Sequence, residues 1–210
     1  MSLVSNLFII FVAGAVLLYY LLPKKMRWWG LLLTSYIYYL AAGTKYFPFL
    51  LFSTIITYLC GLAIEHEVNQ DKKKAKRYLI IGLILNFGMQ ILLPLGISFY
   101  TFQTSGYLLD IYWKRDHAEK NIFRYALFVS YFPQILQGPI GRHSRLAEQL
   151  YEGHSFDLQR ICRGIQRIFW GFFKKMILVD WSAVFVDAIF GNPDQYNGLA
   201  IFGVLFYSMR

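Results

Sequence analysis

Proton transfer, nucleophilic attack or metal binding in this chain would have to come from four histidines, two cysteines and 12 acidic residues. His66, His117, His143 and His154 all read as residues of polar loops, so the sequence places no histidine within an apolar segment. His66 has Glu65 and Glu67 beside it, but consecutive residues point in different directions on a helix, and no metal site is expected. Cys60 lies in an apolar run and Cys162 in a basic helix-like stretch; neither has a second ligand at metal spacing, and both read as packing residues. Gly14, Gly30 and Gly43 are scattered and form no phosphate-cradling loop, and there is no nucleophile elbow. Asp110, at the end of an apolar stretch, is within a helical turn of Lys114 and Arg115, which makes an interfacial ion pair the economical reading. Gln103 has only apolar or hydroxyl neighbours, so its amide must find a hydrogen bond inside the fold.

The elements that would hold these groups read as membrane helices. Of 210 residues, 57% are hydrophobic, 19% aromatic and 16% charged, too apolar for a soluble domain with one buried core and incompatible with disorder or collagen. The formal net charge of +9 is gathered into short islands between long neutral runs. That is the pattern of basic cytoplasmic loops and not of a nucleic-acid-binding arm, and no nucleic-acid partner is expected.

A bilayer core of roughly 30 Å takes about 20 helical residues to cross. Charge-free stretches of suitable length run from Leu3 to Leu22, Trp28 to Thr44 and Tyr46 to Ile64, the last two parted only by Lys45 and so expected to form a tight hairpin. Lys24, Lys25 and Arg27 follow the first, and Lys72, Lys73, Lys74, Lys76 and Arg77 follow the third, which puts both loops inside and the N-terminus outside. The uninterrupted stretch 78–113 contains Pro94 and Gly96, and the basic island after it favours two crossings over one. The stretch Tyr125 to Gly141 is apolar but broken by Pro133, Gln134, Gln137, Gly138 and Pro139; irregular backbone at membrane depth is tolerated only where protein or a water-filled cavity covers it. Over 156–180, Arg160, Arg163, Arg167 and Lys174 share one helical face and Leu158, Ile161, Ile165, Ile168, Phe169 and Phe172 another, as in a helix lying in the headgroup plane. The run after Leu199 is too short to cross, so the chain reads as a fragment, a truncated product or one half of something larger. The expected fold is all-α: a polytopic membrane bundle forming a single domain over 1–210. It has about five to seven apolar helices, an interfacial amphipathic helix and a broken, re-entrant-type segment.

Two stretches carry a resemblance. Leu92-Leu-Pro-Leu-Gly-Ile-Ser-Phe-Tyr-Thr-Phe-Gln103, continuing to Tyr107 and Asp110-Ile-Tyr112, and Tyr131-Phe-Pro-Gln-Ile-Leu-Gln-Gly-Pro-Ile-Gly-Arg142 resemble the membrane-bound O-acyltransferase family. Within it they are similar to the bacterial branch that acetylates alginate and related exopolysaccharides, as is the run from Gly171 through Asp180. The resemblance implies a multi-pass enzyme of the bacterial cytoplasmic membrane, of which this is the N-terminal half. Such an enzyme takes an acyl group from a donor such as acetyl-coenzyme A, with no bound cofactor, and places it on a hydroxyl of a cell-surface polysaccharide. The lipid bilayer and an extracytoplasmic acyltransferase protein are its implied partners.

The family's catalytic histidine lies in a later span, so no catalytic residue is expected in this chain, and the isolated chain is expected to be inactive. A stretch that the family carries ahead of Pro94, Leu95 and Gly96 is also missing. Gln103, Gln134, Gly138, Pro139 and Arg142 match the motifs and are carried over as lining of the substrate path. Acyl transfer to a hydroxyl needs a base and donors for the developing oxyanion; these residues offer amides and a cation but no base. The rival readings are a truncated, non-catalytic membrane module of the same family and a transporter. The transporter is disfavoured because no span interior holds a charge for coupling.

Overall fold

The computed structural model describes residues 6–44, 47–92, 98–137, 141–191, 198 and 200–209, and every regular element among them is helical. The chain divides into two compact units, Met1–Ser155 and Phe156–Arg210.

In the first unit, α1 (Asn6–Leu21) leads through a short 3₁₀ turn at Lys24–Met26 into α2 (Arg27–Ala42), followed by α3 (Phe47–Glu67), α4 (Lys72–Leu92) and α5 (Ser98–Tyr112). The continuous stretch 78–113 is therefore two helices, and the basic run Lys72 to Arg77 forms the first turns of α4 instead of a loop. Contacts between α4 and α5 pair Asn86 with Thr104, Phe87 with Phe102 and Gly82 with Leu108, so one residue number rises as the other falls and the two helices run antiparallel. Between α3 and α4, Ser53 meets Asn86 and Cys60 faces Gly82, again antiparallel. The hairpin expected of the second and third spans is not tight. Tyr36 and Tyr39 at the end of α2 touch Phe47 at the start of α3, but α2 packs mainly on α1 and on the helix Ile122–Ser130, and α3 on α4 and α5.

The three-helix sheaf α3–α5 buries polar side chains alongside an apolar core of Leu50, Ile64, Leu79, Leu108 and Ile111, and exposes further apolar ones. Ser53, Thr54, Thr57, Asn86, Thr101, Gln103, Thr104 and Ser105 are buried, whereas Phe52, Ile55, Leu59, Ile80, Ile84 and Phe102 are exposed. The hydroxyls of Thr54, Thr57 and Thr104 return to carbonyls of their own helix one turn earlier, and Asn86 ties three helices together. Its Oδ1 accepts from Ser53 Oγ at 2.8 Å and its Nδ2 donates to Thr104 Oγ1 at 2.5 Å. Among the described residues one helix, Phe47–Glu67, is long and apolar enough to cross a membrane, with Leu7–Leu21 a shorter apolar helix.

The broken stretch becomes two short helices, α6 (Ile122–Ser130) and α7 (Phe132–Gln137), separated at Tyr131. The break falls two residues before Pro133, because Pro within the first turn of a helix loses no bond that the turn would make. Asn121 caps α6 by accepting from the amides of Phe123 and Arg124, and Tyr125 to Ser130 are all buried. The amide freed at Phe132 donates to Ser35 Oγ of α2 at 3.3 Å, so protein covers the interruption. The next helix, α8 (His143–Tyr151), returns to the segment that precedes α6: His143 bonds Asp116. The start of α8 is thus brought back to the residues that precede α6.

That end of the unit also receives other segments. His117 contacts Glu65 at the end of α3, Tyr58 donates to the Lys120 carbonyl, and the Arg27 guanidinium donates to the His154 carbonyl. Residues 24–27, 65–71, 113–121 and 143–154 are thus joined by contacts, and they hold Lys24, Lys25, Arg27, Lys114, Arg115, Lys120 and Arg145, with the basic run Lys72 to Arg77 directly following the second of them.

In the second unit, α9 (Leu158–Phe173) is capped by Asp157, which accepts from the Arg160 amide, and it buries none of its residues. A run of π-type turns at Lys174–Val179 leads into α10 (Asp180–Gly191), and α11 (Ala200–Met209) packs against α10 with Phe185 stacked on Phe206. Of the two cysteines, Cys60 packs against Gly82 as expected, whereas Cys162 is exposed, in a helix with no buried residue.

Candidate functional site

Gln103 sits on the buried face of α5 and is 4% exposed. Its Nε2 donates both to the Phe128 carbonyl of α6 at 3.1 Å and to Gln134 Oε1 of α7 at 3.2 Å. The amide thus finds the internal partners that its surroundings demand, and it joins the two motif stretches. Gln134 in turn faces Gly141: a Cβ at that glycine would lie 2.7 Å from the Gln134 amide nitrogen, so the missing side chain is what lets the amide approach the backbone.

Two adjoining clefts open at this junction and share Gly141 and Arg142. One, of about 600 Å³, is lined by Gln134, Arg142, Arg145 and Gln149. The other, of about 250 Å³, is lined by Gln103, Tyr107, Asp110, Trp113, Arg115 and Arg142. Of the residues carried over as path lining, Gln103, Gln134 and Arg142 come together here; Gly138 and Pro139 lie outside the described residues. Asp110 makes no ion pair with Lys114 or Arg115 among the described residues. The guanidinium of Arg115 lies instead over the Trp113 ring at 4.9 Å, which leaves Asp110 and Arg115 both facing the smaller cleft.

Behind that cleft is a pair that sequence reasoning missed. His143, assigned to a polar loop, is 6% exposed at the start of α8, with its ring edge-on to Tyr107 and Phe128, 4.9 Å from each. Its Nδ1 donates to Asp116 Oδ2 at 2.9 Å, and its Nε2 is buried without a partner among the described residues. Burial raises the Asp116 carboxyl, but the hydrogen bond and charge of His143, with the His117 amide, outweigh it and hold the group below its ordinary range. An imidazole oriented by a carboxylate is the arrangement of a general base, yet His143 lines neither cleft. Its adjacency to Arg142 was visible in the sequence. Its partner, 27 residues earlier in a different loop, was not. Among the described residues no cluster of His, Cys, Asp and Glu could hold a metal ion.

The arrangement can hold and polarise an oxyanion, because it offers three arginines and three carboxamides around connected clefts. Among the described residues that line the clefts, Asp110 carries the one carboxylate and there is no histidine.

Comparison with known proteins gives the chain relatives over nearly its whole length. It is 30% identical to a probable alginate O-acetylase of Pseudomonas fluorescens, over 98% of this chain and 44% of that protein. It is 31% identical to the corresponding protein of Pseudomonas aeruginosa, over 98% and 45%. A peptidoglycan O-acetyltransferase of Helicobacter pylori is 28% identical over 79% of this chain and 40% of its own length. The chain therefore spans a little under half the length of the curated relatives it matches. No family model matches the chain, and no solved structure does.

Proposed function

The chain is related to the membrane-bound O-acyltransferases that modify bacterial polysaccharides, and from that premise we propose that it takes part in transferring an acetyl group to hydroxyls of a cell-surface polysaccharide. The observation that carries the reading is the meeting of the two motif stretches: Gln103 of the first is bonded to Gln134 of the second beside clefts that Arg142 also lines. Amide and guanidinium donors converging on one place suit the carbonyl oxygen of an acyl group, whose charge grows as the hydroxyl attacks. Acetyl-coenzyme A or a similar thioester is the donor in this reading.

A membrane setting agrees with the exposed apolar side chains of α3–α5 and with the burial of their hydroxyl and amide groups. Lipid in place of water around the helices would favour both, since polar groups must then be satisfied within the protein. The gathering of basic segments at one end suits a cytoplasmic face. The exposed amphipathic α9, with Arg160, Arg163 and Arg167 opposite Ile165, Ile168 and Phe169, suits the headgroup plane.

The test is polymer O-acetylation in a strain deleted for the locus and complemented with this chain, with a version extended to the length of its relatives, or with point variants of that extended version. Gln134→Ala and Arg142→Ala are each expected to lower transfer about tenfold or more while membrane insertion is unchanged. Unaltered acetylation in both variants would remove the reason for placing these residues on the path. Restoration by a longer version alone would mean that this chain is one part of a catalytic family member, whereas a longer version that also restores nothing would favour a non-catalytic membrane module of the same family.

A further inference from the structure

Arg115 and Arg142 face the same cleft from different segments, and each is followed in sequence by a member of the buried pair: Asp116 after Arg115, His143 after Arg142. The 2.9 Å bond between Asp116 and His143 therefore joins, from behind, the two backbones that carry the arginines. The aromatic cage of Tyr107 and Phe128 leaves His143 little freedom to swing, and Tyr107 is itself fixed, its hydroxyl accepting from the Glu119 amide at 3.0 Å. Arg115 is held by its stacking on Trp113. The adjoining cleft adds Arg145. Three cations against the single carboxylate of Asp110 give these connected clefts a net positive lining.

We infer that Arg115 and Arg142 form a jaw for a phosphate group of the acyl donor, and that the Asp116–His143 bond is the staple that sets the spacing of the jaw. The inference rests on the acyl-transfer reading and names the part of the substrate that this cleft takes. A guanidinium pairs with phosphate or carboxylate through two parallel hydrogen bonds, so two guanidiniums across a cleft select an oxyanion, provided their separation is fixed. Phosphate is preferred to a carboxylate of the acceptor polymer because the jaw lies where the basic segments gather, the end assigned to the cytoplasm, and the polymer is on the other side. Asp116 and His143 are positioning residues: they touch no substrate and act through the arginines next to them.

The experiment is titration calorimetry of the purified chain in detergent with coenzyme A, with pantetheine, which has the same thiol arm but no phosphate, and with an oligouronate. Coenzyme A is expected to bind at least about tenfold tighter than pantetheine, and Arg115→Ala and Arg142→Ala each to weaken it about five- to tenfold. Arg160→Ala, in the other unit, is expected to leave it unchanged. His143→Gln and the near-isosteric Asp116→Asn are expected to weaken coenzyme A several-fold in the wild-type background but less than about twofold once both jaw arginines are alanine, a non-additivity that general loosening of the fold would not produce. Equal binding of pantetheine and coenzyme A, or unchanged affinity without the arginines, would overturn the jaw; fully additive effects of His143→Gln would overturn the staple. An oligouronate that displaces coenzyme A with the same arginine dependence would overturn the phosphate assignment. Because the readout is binding, normal coenzyme A affinity alongside an unmodified polymer would count against the acyl-transfer reading and leave the jaw intact.

Discussion

Asp116 shows at the residue scale how burial and partnership compete. Burial alone would push its carboxyl up, and the bond and charge supplied by His143 bring it below the ordinary value of 3.8. A carboxyl whose native value is depressed binds fewer protons in the folded state than in the unfolded one. Its stabilising contribution is therefore complete above the ordinary value and is lost as pH falls through the lower native one. Asp116→Asn is expected to reduce stability at pH 7 by about 1–2 kcal/mol, typical of losing a hydrogen bond to a charged group, and the gap from wild type should shrink as pH is lowered from about 5 to 3. Thermal unfolding in detergent micelles across that range measures it, and a gap that stays constant with pH would show the carboxylate charge to be irrelevant. The sequence could not disclose this pair, since nothing in a single chain says that residue 116 will meet residue 143. The need of Gln103 for an internal partner, by contrast, followed from its apolar neighbours alone, and the structure supplies Phe128 and Gln134.

Close approach between helices governs the element scale. At Gly82 an added Cβ would lie 2.8 Å from a Leu108 methyl and 3.3 Å from Cys60, so α4 can lie against both α3 and α5 only because that residue has no side chain. Six residues on, Gly88 has nothing within 4 Å of the same position. Gly82→Leu is expected to destabilise by about 1–3 kcal/mol through overpacking, whereas Gly88→Ala is expected to be neutral or to stabilise by about 0.5–1 kcal/mol through reduced freedom of the unfolded chain. Asn86→Leu should cost about 1–2 kcal/mol, since it leaves the Ser53 and Thr104 hydroxyls without their cross-helix partner. Unfolding midpoints of the three variants, compared in one detergent, check the ranking, and equal effects at Gly82 and Gly88 would contradict the packing described. The helices themselves were legible because apolar runs and basic islands mark them. The register in which they pack was not, as it depends on which glycine meets which leucine. The break in the 125–141 stretch was legible from its Pro, Gly and Gln content, but its position was not: the chain turns at Tyr131 because Ser35 of a distant helix accepts the freed amide.

At the scale of the whole molecule, charge and connectivity lead to one expectation that can be tested. The positive-inside rule, applied to the basic islands of the sequence, predicts that 24–27, 72–77 and 114–124 share one side of a membrane. The contacts of His117 with Glu65, His143 with Asp116 and Arg27 with the His154 carbonyl bring the corresponding segments to one end of the first unit, without reference to charge. Thr44, between α2 and α3, falls at the opposite end, since α2 and α3 each run away from the basic cluster or back to it. In a background of Cys60→Ser and Cys162→Ser, a single cysteine at Thr44 is therefore expected to react with a membrane-impermeant maleimide in intact cells. Single cysteines at Lys73 and at Lys120 are expected to react only after the cells are permeabilised. The Lys120 position is decisive for the fold, because it is internal only if α4 and α5 both cross. Labelling at Lys120 from outside, with Lys73 still protected, would mean that 78–113 crosses once; the antiparallel contacts of Asn86 and Phe87 with α5 would then be incompatible with the membrane topology.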